Sequence, residues 1–231
     1  MFKREHHLHI ATILQALDSE LLLKYNCLFG GGTAIALSHD EFRESVDIDF
    51  LISDISGYQN LRETLKKKGL MGITRSGMKL ETPHDLRADQ YGIRTLIPIS
   101  NTAIKFEIIF EGRIKLDPPS AENRICGIYS LTETDRAASK LLALSDRWAD
   151  DSTFSRDLID LAMLNLPKKV FHRALDKATG AYGASVIRDL TKAIIKLSER
   201  EGRLDECMAA LKIVDTPKAL LWKRIRSLKT K

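Results

Sequence analysis

Apolar residues at Ile10, Ile13, Leu14, Leu17, Leu21 and Leu22 keep the spacing of one helix face, with Gln15, Asp18 and Glu20 between them. That pattern predicts a helix near 8–24. A short strand near 27–29 and a helix opening at Thr33 follow. VDIDFLI (46–52) alternates like a strand, and a helix near 57–68 closes on Lys66, Lys67, Lys68 and Gly69. Cations and a glycine suit a helix C-terminus. RTLIPIS (94–100) and AIKFEIIF (103–110) are β-branched or alternating and predict two more strands. Gly, Pro, Asp and His are scattered through 71–92, which reads as a hairpin or a long loop. A linker, LDPPSAEN (116–123), leads to a last short strand near 125–130. Thr132 and Asp135 then give a capping signal, and helical patterns run to the end.

Strands first and helices after predict an α/β (α+β) fold, a mixed sheet flanked by helices over 1–131 followed by a helical domain over 132–231. The 231 residues are 44% hydrophobic and 29% charged, which is globular composition and excludes a disordered chain. Net charge is +5, compatible with a nucleic-acid partner. Cys27, Cys126 and Cys207 are far apart and form no CxxC pair, so neither a zinc site nor a disulfide framework is expected. They read as reduced thiols of a cytoplasmic protein. No signal peptide is expected, and no apolar run approaches the ~20 residues of a membrane span. His6, His7 and His9 read as a frayed polar terminus.

The chemistry concentrates in FGGGTAIALSHDEFRESVDIDFL (29–51). On a strand, Asp47 and Asp49 leave one face with Cα atoms ~6.6 Å apart, while Val46, Ile48 and Phe50 face the other way. Paired carboxylates repel unless a divalent cation sits between them, and Mg²⁺ prefers such hard oxygens. The alternative is an edge strand with a solvated polar face. Upstream, glycines at 30–32 let a backbone approach a ligand, and the helix start at Thr33 offers free N–H groups to an anion. No GK[ST] follows, so this is not a Walker A loop, and Ile35 breaks the GxGxxG pattern.

A third acid is Glu107, which shares a strand face with Lys105. It would reach the aspartates if its strand lies beside VDIDF. Three carboxylates holding two metals would clamp the attacking and leaving oxygens of a phosphoryl transfer. Glu111 competes for the role but reads as exposed at the strand end. On the helix over 133–149, Lys140 borders the stripe Ala137, Leu141, Leu144 and Trp148. Lys140 either snorkels to solvent or points into a cleft. Asp157 and Asp160 share a helix face, where the two favour the helix dipole or Asp157 holds Lys140 in place.

These residues resemble the DNA polymerase β-like nucleotidyltransferase superfamily, with its glycine turn, helix, Asp-x-Asp strand and third acid. The longer string GGTAIAL, then Arg43 to Leu51, is similar to the AbiEii/AbiGii toxin family, which includes the MenT toxins. Lys140-Leu-Leu-Ala-Leu144 and Arg156-Asp157-Leu-Ile-Asp160 match two more of its motifs, so the likeness spans roughly 27–165. The resemblance implies a nucleotidyltransferase-like sheet and transfer of a nucleoside monophosphate from an NTP to an acceptor hydroxyl. Gly31, Gly32 and Thr33 would hold the phosphates, with Arg43 or Ser45 near them. Asp47, Asp49 and Glu107 would bind Mg²⁺ or Mn²⁺, or Glu107 would help deprotonate the acceptor. Lys140 would balance phosphate charge, with Asp157 functional beside it. Many superfamily members have Asp where this chain has Glu107.

The implied partners are a cognate antitoxin and an RNA acceptor, with the tRNA 3′ end favoured. The basic run from Pro217 to Lys231 either attracts RNA phosphates or is a solvated helix end. Two alternatives stand beside this reading: a glycosyltransferase using its DxD for a nucleotide sugar, and a non-catalytic nucleotide- or partner-binding member.

Overall fold

The computed structural model describes residues 2–80 and 85–229. It forms two compact units, Met1–Leu37 with Ser45–Thr132, and Ser38–Glu44 with Glu133–Lys231. The first unit is built on strands β1 (Cys27–Gly30), β2 (Ile48–Ile52), β3 (Arg87–Ala88), β4 (Gly92–Ile99) and β5 (Thr102–Phe110). Their order in the sheet is β1-β2-β5-β4-β3. Strands β2 and β5 pair in parallel, while β1–β2, β5–β4 and β4–β3 are antiparallel. Helices α1 (Glu5–Ala16), α2 (Ser19–Lys24), α3 (Gly31–Ser38) and α4 (Ile55–Lys68) accompany the sheet.

One face of the sheet is the core. Phe29, Phe50 and Phe106, one from each of β1, β2 and β5, are fully buried in a row with ring centroids 5.6 Å apart. Ile10, Ile13 and Leu14 of α1 and Leu61 and Leu65 of α4 join the same apolar cluster. The other face stays open along β4 and β5: Arg94, Leu96, Lys105 and Glu107 alternate with the buried Ile93, Ile97, Ile104 and Phe106.

The helix anticipated over 8–24 is two helices. Asp18 accepts from the Leu21 amide and caps α2, while Leu17 is extended and bridges Thr74. An N-cap aspartate outcompetes helix continuation here. Strand β2 lies between β1 and β5, so the DxD segment is not on an edge. Val46 does not share the buried face of Ile48 and Phe50 but is 45% exposed, because the strand begins only at Ile48. The ambiguous 71–92 region ends in the β3–β4 hairpin; its residues 81–84 lie outside the described residues. The strand near 125–130 is a small hairpin, β6 (Arg124–Ile125) and β7 (Ile128–Tyr129), turning at Cys126 and Gly127 with positive φ.

The second unit is helical: α5 (Glu133–Arg147), α6 (Arg156–Met163), α7 (Lys168–Tyr182), α8 (Ser185–Glu199), α9 (Arg203–Ala210) and α10 (Lys218–Ser227). Its centre is α5, whose Ala137, Ala138, Leu141 and Leu142 are fully buried, together with Ile159, Phe171 and Ala174. No described helix is long and apolar enough to cross a membrane.

Candidate active site

In the first unit the register builds an acidic face. Asp49 sits opposite Gly30 on β1 and opposite Glu107 on β5. In-register neighbours on parallel strands project the same way, so Asp49 and Glu107 share the open face. Asp47 immediately precedes the strand, and both aspartates act electrostatically on the Lys105 ammonium.

The glycine turn presses against that face. Gly31 has φ 67°, and a Cβ there would collide with the Asp49 carboxylate. The position therefore requires glycine twice, for backbone conformation and for close approach. Thr33 is buried, its Oγ1 2.7 Å from Ser45 Oγ and 2.5 Å from the Asp47 carbonyl oxygen. A hydroxyl carries one proton and a carbonyl only accepts. Thr33 thus donates to Asp47, and Ser45 donates to Thr33. The Thr33 side chain ties the helix start to the DxD segment. Ser45 is fixed in turn by His7, whose Nε2 accepts from the Ser45 amide at 3.1 Å. His7 is fully buried and no frayed polar residue. Its spacing from Ile10, Ala11 and Leu14 puts it on the inward stripe of α1, a signal the helical period already carried.

Glu107 is not alone among acids. Arg94 Nε donates to it at 3.0 Å across the β4–β5 pair, and Lys105 Nζ forms an ion pair with its other oxygen. Burial alone would push the Lys105 ammonium's pKa down; bonding to Glu107 and the charges of Glu107, Asp47 and Asp49 outweigh it and raise it. Arg94 is held from behind by Asp89, whose other oxygen accepts the Tyr91 and Gly92 amides. Sequence reasoning missed Arg94, since only the strand register puts it opposite Glu107. Glu111, expected at the surface, is 2% exposed and held in a fork by Arg113.

Whether these residues fit Mg²⁺ depends on the donor set. Among the described residues no group of three or more His, Cys, Asp or Glu forms a metal cage. Mg²⁺ commonly takes one or two carboxylates and completes its shell with water and substrate phosphates. Asp47 and Asp49 beside a glycine turn fit that mode; Glu107 stands next to them, engaged by two cations.

The second unit holds a chain of buried charges. Arg43 forks onto Asp160 at 2.6 and 2.9 Å. Lys140 lies 2.8 Å from Asp160 and 3.0 Å from Asp157, and Arg147 forks onto Asp157 at 2.6 and 2.9 Å. Burial would push both aspartate carboxyls up. For Asp157, Lys140 and Arg147 outweigh it; for Asp160, Arg43 and Lys140 do; each carboxyl is held below the usual range. Lys140 is therefore not a snorkelling lysine, and Arg43 is committed to Asp160. Arg43 and Ser45, two residues apart, belong to different units. Asp160 carries as much of this cluster as Asp157.

A family model described as the nucleotidyl transferase AbiEii toxin of a type IV toxin–antitoxin system matches residues 12–227. No curated protein matches. Among solved structures, the chain is similar to JHP933 from Helicobacter pylori, with TM-score 0.55, 20% identity, and coverage of 100% of this chain and 94% of that one. A second H. pylori structure, described as a nucleotidyltransferase, gives TM-score 0.52 at 19% identity over 99% and 96%. At such identities the likeness is one of fold. The family match covers nearly the whole sequence: the chain belongs to the AbiEii nucleotidyltransferase toxin family of type IV toxin–antitoxin systems.

Proposed function

We propose that the protein transfers a nucleoside monophosphate from an NTP to an acceptor hydroxyl, favouring the 3′ end of tRNA, and acts in the cytoplasm. The observation that carries this is the register setting Asp49 between Gly30 and Glu107, with Gly31 against its carboxylate. The acceptor oxygen bonds to the α-phosphorus as the bond to the β-bridging oxygen breaks; the electron pair leaves with pyrophosphate and the hydroxyl proton is released. Backbone N–H groups of Gly31, Gly32 and Thr33 at the start of α3 meet the β- and γ-phosphates. Asp47 and Asp49 would hold Mg²⁺, or Mn²⁺, with Glu107 beside them. Bound there, the metal would neutralise charge on the phosphates and polarise the reacting phosphorus.

Family membership implies a cognate antitoxin. The RNA acceptor draws support from α10, where Lys223 and Arg226 are exposed, with Lys229 just beyond, and Arg226 lies over the Trp222 ring at 5.2 Å. Lys218 of the same run is paired with Asp205. The glycosyltransferase alternative is set aside by the family match. The test is incubation with each α-³²P-labelled NTP, Mg²⁺ and an extract of total RNA and protein, beside an Asp47→Ala, Asp49→Ala double variant. Label in a tRNA-sized band, lost with the variant, is the expected result. Label in protein moves the acceptor to protein. No label anywhere points to a small-molecule acceptor or to the binding-only alternative.

A further inference from the structure

The acidic face contains a cation that the proposed chemistry does not use. Lys105 lies two residues from Glu107 on β5, on the same open face, and its ammonium is ion-paired to the Glu107 carboxylate. Asp47 and Asp49 bear on the same ammonium. Arg94 also meets Glu107, but it is tethered on its far side to the turn-fixed Asp89. The Lys105 side chain is 48% exposed, on a flexible four-carbon stem with open solvent beside it. Arg94 bridges two carboxylates, whereas Lys105 is bound to Glu107 and half exposed.

We propose that Lys105 is the resident counter-cation of this face, competing with the divalent metal until a nucleotide arrives. The inference rests on the Mg²⁺-nucleotide reading of Asp47 and Asp49. With Lys105 in place, three carboxylates already have two positive neighbours, so a divalent ion gains less there than the carboxylates alone would offer. An incoming triphosphate changes both sides of the balance. Its oxygens add ligands for the metal, and its negative charge gives the displaced ammonium a new partner. Metal and nucleotide then enter together, and the metal-free protein keeps Glu107 paired.

The test is Mn²⁺ binding to the full chain followed by electron paramagnetic resonance, with and without a non-hydrolysable NTP analogue. Without nucleotide, Lys105→Met and Lys105→Gln should each bind Mn²⁺ ~10-fold more tightly than wild type. The gain should vanish when Asp49→Asn is added. The analogue should tighten Mn²⁺ binding more in wild type than in either variant. Equal or weaker Mn²⁺ binding by the Lys105 variants, or a gain that survives Asp49→Asn, overturns the proposal. So does an absence of Mn²⁺ binding by all proteins. Failure of wild type to transfer label, with the Mn²⁺ results as expected, counts against nucleotidyl transfer and leaves the role of Lys105 standing.

Discussion

Arg43 and Asp160, separated by 117 positions in sequence, face each other as a fork on a carboxylate, both nitrogens within 2.9 Å and both side chains buried. Replacing the arginine with an apolar residue strips Asp160 of its bidentate partner and leaves it facing Lys140, which Asp157 also engages. Arg43→Met should destabilise the fold by about 3 kcal/mol, the usual consequence of breaking a buried pair on one side. Arg43→Lys, which keeps charge but not the fork, should fall between. Urea unfolding of the three proteins measures this, and an Arg43→Met midpoint equal to wild type would count against it.

Acid should act on the same cluster. Asp157 and Asp160 are held below the ordinary carboxylate range in the folded state, so the stability they contribute is complete above about pH 4. It is lost as pH falls from there toward their lower folded values. The wild-type urea midpoint should drop on going from pH 7 to pH 3, and the drop should be smaller in Asp157→Asn. An identical drop in both proteins would locate the acid sensitivity elsewhere.

Gly31 and Gly30 offer a paired comparison. An alanine at 31 must adopt positive φ, at about 1–2 kcal/mol, and push the Asp49 carboxylate aside. An alanine at 30 meets only the side-chain ends of Leu131 and Leu51 at 2.7 Å, which can shift. Gly31→Ala should lower nucleotidyl transfer at least ~10-fold by misplacing one carboxylate. Gly30→Ala should alter melting more than turnover. Transfer rates and thermal melts of both variants decide it.

His7 supplies the acceptor for a partly buried Ser45 amide, and Ser45 in turn bonds Thr33. His7→Ala should reduce stability by roughly 1–3 kcal/mol, because an amide is left without its partner. His7→Gln, which restores an acceptor, should recover part of that loss. Thermal unfolding monitored by circular dichroism would show it; a fully stable His7→Ala would remove His7 from the architecture of the turn.

Much of this was legible from pattern alone. Alternation in AIKFEIIF and VDIDFLI located two central strands, and the mixed sheet with helices followed from the order of elements. Both aspartates, the glycine turn and Glu107 stood out because each opposes local preference. Pairing was the hidden step: no periodicity states that β2 and β5 are parallel neighbours in a register that opposes Asp49 and Glu107. Charged residues proved hardest. Arg43, Lys140 and Glu111 have the composition of surface residues, and only their distant partners explain why they are buried.

The seven residues Ser38–Glu44 belong with the helices, although the chain on both sides of them belongs with the sheet. A cut after Thr132 would therefore not yield two clean pieces. The N-terminal fragment would keep Arg43 and Glu44, while Asp160 and the Lys212 that pairs with Glu44 would be gone. Swapping the helical half between relatives would meet the same obstacle unless this short insert travelled with it. Glycine turn, insert and aspartates are consecutive, so recombination has little room to separate the two halves, and they are best expressed, exchanged and inherited as one unit.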